Sequence, residues 1–175
     1  MSMHHVYMGA AFLKQANSDL LVYDVLSREP LPSCHRLHYL QMWLEKLCKA
    51  YIWREKGSRD DLPDDMKHQV ISKVLPILLK SFAERVSGNK NINVPLAKKL
   101  SREIDLLHPQ VDGGGTRPDN VEYPWLSEKG GVQVIAPVDY DFQIMKTITS
   151  PQGIKLLKIA RALTEKGEHW LFNLF

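Results

Sequence analysis

Arg102 and His108 stand in the run SREIDLLHP with five residues between them. Their types suit chemistry at a phosphate. A histidine moves a proton near neutral pH, and an arginine holds a phosphate in bidentate fashion. Glu103 follows the arginine directly and puts a negative charge where a phosphate would come. In an unbroken helix, six positions also turn the two side chains roughly 120° apart. The competing reading is an arginine on a solvated helix face and a histidine at a helix end before Pro109.

A second candidate is a polar band in the run SCHRLHYLQMWLEKLCKAYIWREK, Ser33 to Lys56. His38, Met42, Glu45 and Lys49 step along one side at spacings of four, three and four. On a helix they form a continuous row. As a ligand site, the row is a polar groove that takes a phosphate through Lys46 and Lys49, with Glu45 and His38 beside them. As structure, Glu45 and Lys49 form an i,i+4 ion pair and His38 hydrogen-bonds inside a bundle.

Other chemistry is weaker. His35 and His38 have a workable metal-ligand spacing, but no motif specifies a third ligand, so no metal is expected. Gly113, Gly114 and Gly115 lack the Lys-Ser/Thr of a phosphate loop and read as a turn. Trp53, Trp125 and Trp170 could stack bases, though packing is their commoner role. Cys34 and Cys48 lie about 21 Å apart along a helix axis, too far to bridge, and read as reduced core thiols.

The elements that must position these groups are mostly helices. In 175 residues with 44% hydrophobic and 25% charged side chains, one domain with a real core is expected. The net charge of +3 is too small to argue nucleic-acid binding alone. No apolar run approaches a membrane span, and the N-terminus lacks the pattern of a secretory signal, so a cytoplasmic protein without a membrane role is expected.

Residues 8 to 27 read as a first helix with Ala11, Phe12, Ala16, Leu20, Tyr23 and Leu26 on one face. Ser33 to Lys56 is the central helix. Its stripe is Leu37, Leu40, Leu44, Leu47 and Tyr51, with Cys48 at the edge. A third helix is expected from about Met66, with Asp64 and Asp65 at its positive end. Val70, Ile71, Val74, Leu75, Leu78 and Phe82 are its buried candidates, and Pro76 kinks it or starts a new one. Asn93 caps a fourth helix carrying Leu96, Leu100, Ile104 and Leu107.

Residues 109 to 150 form an irregular insert in which Val132, Val134 and Ile135 suit a short strand. Asp139 to Ile148 reads equally as strand or helical turn. Tyr123, Trp125, Tyr140 and Phe142 are expected to pin the insert to the bundle. Ser150 caps a last helix with Ile154, Leu157, Ala160 and Leu163 on its apolar stripe, stopped by Gly167. The tail HWLFNLF needs a core or a partner to cover it.

This order of signals resembles the HEPN family over about residues 8 to 166. Ala16-Asn17-Ser18-Asp19-Leu20 looks like the family's A-x-x-D-L. Glu45-Lys46-Leu47-Cys48-Lys49-Ala50 looks like its E-K-x-x-K-A. His68 stands where the family has H-D-L, with Gln69 and Val70 in the other two places. Glu122-Tyr123-Pro124 stands where R-Y-P is common. The segment DGGGTRPDNVEYPW is closer to an uncharacterised bacterial branch than to the well-studied nucleases.

The resemblance implies a mainly α, up-and-down helical bundle that often dimerises. The family includes RNases of toxin–antitoxin and phage-defence systems, partners of nucleotidyltransferases, and members without known activity. In the nucleases, RNA cleavage is associated with an Arg and a His separated by four to six residues, commonly with Asn after the Arg. Arg102 and His108 fit the spacing, and Glu103 departs from the pattern. Two functions follow as expectations. The first is a binding module of a bacterial stress or defence system that takes a nucleotide, an RNA or a cognate protein, works without cofactor and forms a homodimer. The alternative is a metal-independent endoribonuclease using Arg102 and His108 in a site completed across the dimer.

Overall fold

A computed structural model describes residues 3–56, 69–86, 92–111, 119–128, 132–167 and 169. Their architecture is a mainly helical bundle: α1 (Met3–Leu26), α2 (Ser33–Lys56), α3 (Val70–Val86), α4 (Val94–Asp105), α5 (Ile144–Thr149) and α6 (Pro151–Glu165). Between α4 and α5 lie two strands, β1 (Trp125–Ser127) and β2 (Gln133–Ile135), and a 3-10 turn, Pro137–Asp139. The strands pair antiparallel, with Leu126 opposite Val134.

The middle of the bundle is α2, which packs against α1, α3, α4 and the 3-10 turn. Leu37, Leu40, Leu44 and Leu47 are fully buried, as their three- and four-residue spacing requires. Trp43 is buried beside them, and its indole N–H donates to Thr164 Oγ1 of α6 at 2.8 Å. A buried indole N–H without an acceptor is costly, so this bond fixes α6 against α2. Cys34 and Cys48 are both buried free thiols. Helix α1 runs antiparallel to α2. Tyr23 meets Trp43, and four residues earlier Asp19 meets Lys46.

Local chemistry sets several helix ends. Asn93 Oδ1 accepts from the Leu96 backbone N–H at 3.0 Å and starts α4. Ser150 does the same for α6, accepting from Gly153 N–H at 3.1 Å while donating to the Thr147 carbonyl at 2.7 Å. Its hydroxyl thus joins the end of α5 to the start of α6. Helix α3 runs through Pro76 as one element, so the reading of a new helix after Leu75 is corrected. Pro76 lacks an N–H and leaves one bond unmade, but the apolar face of α3 is buried around it.

Other expectations also change. Gln69 stands outside the helix, so α3 starts at Val70 rather than near Met66. Asp64 and Asp65 lie outside the described residues. Helix α4 ends at Asp105, and Leu107 is buried from the turn that follows. Ala11 faces solvent, and Leu13 takes the buried place on α1. On α6 the buried row is Gly153, Leu156, Ala160 and Leu163, while Ile154 is exposed. The insert precedes two helices, not one, because the second half of the Asp139–Ile148 stretch, from Ile144, folds as α5, while residues 140–143 are irregular.

Within the insert, Tyr140 sits edge-on to both Trp125 and Phe142, with ring centroids 5.1 and 4.9 Å apart. Trp125 and Phe142 are buried, and these rings fasten the insert to the bundle. Tyr123 is 53% exposed and takes no part in this ring cluster. No described helix is long and apolar enough to cross a membrane.

Candidate functional site

Among the described residues, the chemistry gathers in packed charge clusters and in two cavities. The first cluster is the polar side of α2. Lys46 Nζ lies 2.9 Å from Asp19 Oδ2, with the lysine side chain 16% exposed and the aspartate 7%. Gln15 Nε2 donates to the other Asp19 oxygen at 3.0 Å. Lys49 pairs with Glu45 one turn away, and Gln41 Nε2 donates to Glu45 Oε2 at 2.6 Å. Burial would raise the Glu45 carboxyl, but Lys49, Gln41 and the neighbouring His108 hold it below the usual range. Both lysines of the E-K-x-x-K-A run therefore carry a carboxylate partner.

His38 faces a different segment. Its Nδ1 is 3.6 Å from Glu122 Oε1. Asn120 places that carboxylate: its buried side chain accepts from the backbone N–H of Glu122 and Tyr123 and donates to the Tyr123 carbonyl. His35 is exposed on the first turn of α2, and no three metal-binding side chains gather among the described residues.

Asp105 is the deepest charge, 1% exposed at the end of α4. Its two oxygens accept from the backbone N–H groups of Ile71 at 3.2 Å and Ser72 at 2.7 Å. These are first-turn donors of α3, which no group within the helix can satisfy. A carboxylate from a neighbouring helix thus caps α3 and meets its positive end. Burial pushes the Asp105 carboxyl up to about 6, against the pull of these donors, and the Glu45 charge adds to the rise. Burial also raises the Cys48 thiol well above its ordinary value, with Asp105 and Glu45 nearby.

Arg102 and His108 leave the helix geometry assumed for them. Arg102 sits on the last turn of α4, which ends at Asp105, and His108 lies in the turn beyond. His108 Nδ1 accepts from the Gln110 backbone N–H at 3.1 Å. The neutral ring then carries its proton on Nε2. The His108 ring lies near enough to Glu45 for its positive form to favour that carboxylate. So His108 lies beyond the end of α4 and near Glu45 of α2, while Arg102 is on the last turn of α4. Glu103 lies 3.7 Å from Lys99 and lines a cavity of about 130 Å³ with Asp119, Tyr140 and Phe142. There a hydrogen bond to Asp119 helps raise the Tyr140 hydroxyl to about 12.

The basic cavity is not visible in any motif. It measures about 310 Å³ and lies where α1, α2, α5 and α6 meet. Arg36, Lys158 and Arg161 line it with Tyr23, Trp43 and Leu157. Arg161 is held by Asp24 through a two-pronged pair, one prong at 2.6 Å. The walls come from four helices, so sequence spacing carries no sign of the site.

Comparison with protein-family models, curated proteins and solved structures finds no match to this chain.

Proposed function

We propose that this chain is a HEPN-like binding module of a bacterial stress or defence system. It takes a nucleotide, an RNA or a protein partner and does not cleave RNA. The helical bundle around α2 supports the first part of this reading. The observation that carries the second is the engagement of His108. Its Nδ1 lone pair is taken by the Gln110 N–H, and the neutral ring has no second lone pair to act as a base. Glu103 beside Arg102 opposes a phosphate at that point.

The test is incubation of total RNA with the purified protein and with His108→Ala, in EDTA. Neither is expected to degrade the RNA. Cleavage by the wild type that disappears in His108→Ala would establish the nuclease and overturn this reading.

A further inference from the structure

Arg36 is a charged group without the company such a group needs. Its Nε is buried and has no hydrogen-bond partner among the described residues. The only acceptor placed against its terminal nitrogens there is the thioether sulfur of Met145, 3.1 Å from one of them. A thioether is a weak acceptor, and guanidinium does not lose its proton in proteins. The half-buried Arg36 side chain thus has no carboxylate to meet its charge among the described residues, and an anion in the neighbouring cavity would supply the missing charge to its terminal nitrogens.

The cavity is built to receive one. Arg36 and Lys158 line it, and no carboxylate pairs with either among the described residues. Arg161 is already neutralised by Asp24 and serves as a fixed wall. These two cations, unpaired among the described residues, match the charge of a phosphomonoester, about −1.5 to −2 at neutral pH. Tyr23, Trp43, Ile148, Ile154 and Leu157 supply an apolar and aromatic surface. The Tyr23 and Trp43 rings lie 5.8 Å apart and tilted by 37°. The Ser27 and Thr149 hydroxyls also line the cavity and donate to the Tyr23 and Met145 carbonyls. At about 310 Å³, the space stands at the small end of ligand pockets, which run from about 300 Å³ upward.

We propose that this cavity binds a small phosphomonoester carrying an apolar ring. Arg36 grips the phosphate, Lys158 adds charge at the mouth, and Tyr23 with Leu157 holds the ring. The site needs neither Arg102 nor His108, and it stands whether or not the chain is HEPN-like.

The experiment is calorimetric titration of the whole chain with phenyl phosphate, inorganic phosphate and phenol, using wild type, Arg36→Met and Lys158→Gln. Phenyl phosphate is expected to bind the wild type at least about tenfold more tightly than either fragment. Arg36→Met is expected to weaken it about tenfold or more. The thermal midpoint of the unliganded Arg36→Met protein is expected to hold, since no carboxylate among the described residues loses a partner. A merely structural arginine would lower the midpoint and leave affinity alone. Lys158 is exposed, so Lys158→Gln folds in any case, and a loss of a few-fold is expected there. No binding of phenyl phosphate, or equal binding by all three proteins, overturns the site. Equal affinity for phosphate and phenyl phosphate overturns the ring-bearing ligand. Binding of a single-stranded RNA through Arg36 in place of the small ester overturns it as well. RNA cleavage by the wild type would topple the module reading and leave this site untouched.

Discussion

Asp105→Ala is expected to lower the unfolding free energy by about 2–4 kcal/mol at pH 7. The substitution removes both oxygens that accept from Ile71 and Ser72 at the buried start of α3. Each donor left without an acceptor costs about 1–3 kcal/mol. The ionised carboxyl is itself expensive to bury, which offsets part of that loss and keeps the total below the sum. The same offset gives a pH signature. The folded-state value of about 6 lies above the ordinary 3.8, so between them the folded chain holds a proton that the unfolded chain releases. Stability from this group is therefore full below the ordinary value and is lost as pH rises through about 6. The difference between wild type and Asp105→Ala should grow by up to about 3 kcal/mol as pH falls from 7 toward 4. Urea unfolding of both proteins across that range reads it directly. A constant difference would contradict the raised Asp105 carboxyl, and no loss at pH 7 would contradict the tertiary cap.

Gly153→Ala should have a comparable effect by a different route. At an ordinary helix position this change stabilises by about 1 kcal/mol. Here a Cβ would stand 2.0 Å from the Thr147 carbonyl oxygen and 3.1 Å from Ile148 Cα. The obstacle is backbone, at the joint where Ser150 ties α5 to α6, so no side chain can swing aside. A loss of about 3 kcal/mol is expected, with the sign reversed from the helix-propensity rule. A thermal midpoint that rises in Gly153→Ala would mean that the two helices do not meet this closely.

What was legible in the sequence was local. The bounds of α2 follow from Ser33 after a proline and from one unbroken apolar stripe. Asn93 and Ser150 announce their helices because a short polar side chain before a proline-led turn is a strong cap. The Glu45–Lys49 pair follows from spacing alone. The rest depended on tertiary neighbours. Nothing near α3 in sequence predicts a cap that arrives from 34 residues away. The phase of α6 slipped by one side chain because Ile154 and Leu157 are as apolar as the Leu156 that is buried. Arg36 stands between His35 and Leu37 in no motif. Only the convergence of α1, α2, α5 and α6 sets its half-buried side chain in a cavity wall with its Nε unpartnered among the described residues.

The same distinction decides how the polar side of α2 works. Lys46 could have faced a ligand, and in the bundle it meets Asp19 of α1, which is 5% exposed. The most direct measurement is therefore Lys46→Met, followed both by urea unfolding and by anisotropy of labelled RNA and nucleotide. A framework role predicts a clear loss of stability, because the buried Asp19 loses its partner, while any RNA or nucleotide affinity stays at the wild-type value. Unchanged stability with lost binding would show instead that Lys46 serves a ligand, and that the α1–α2 ion pair is not what holds these helices together.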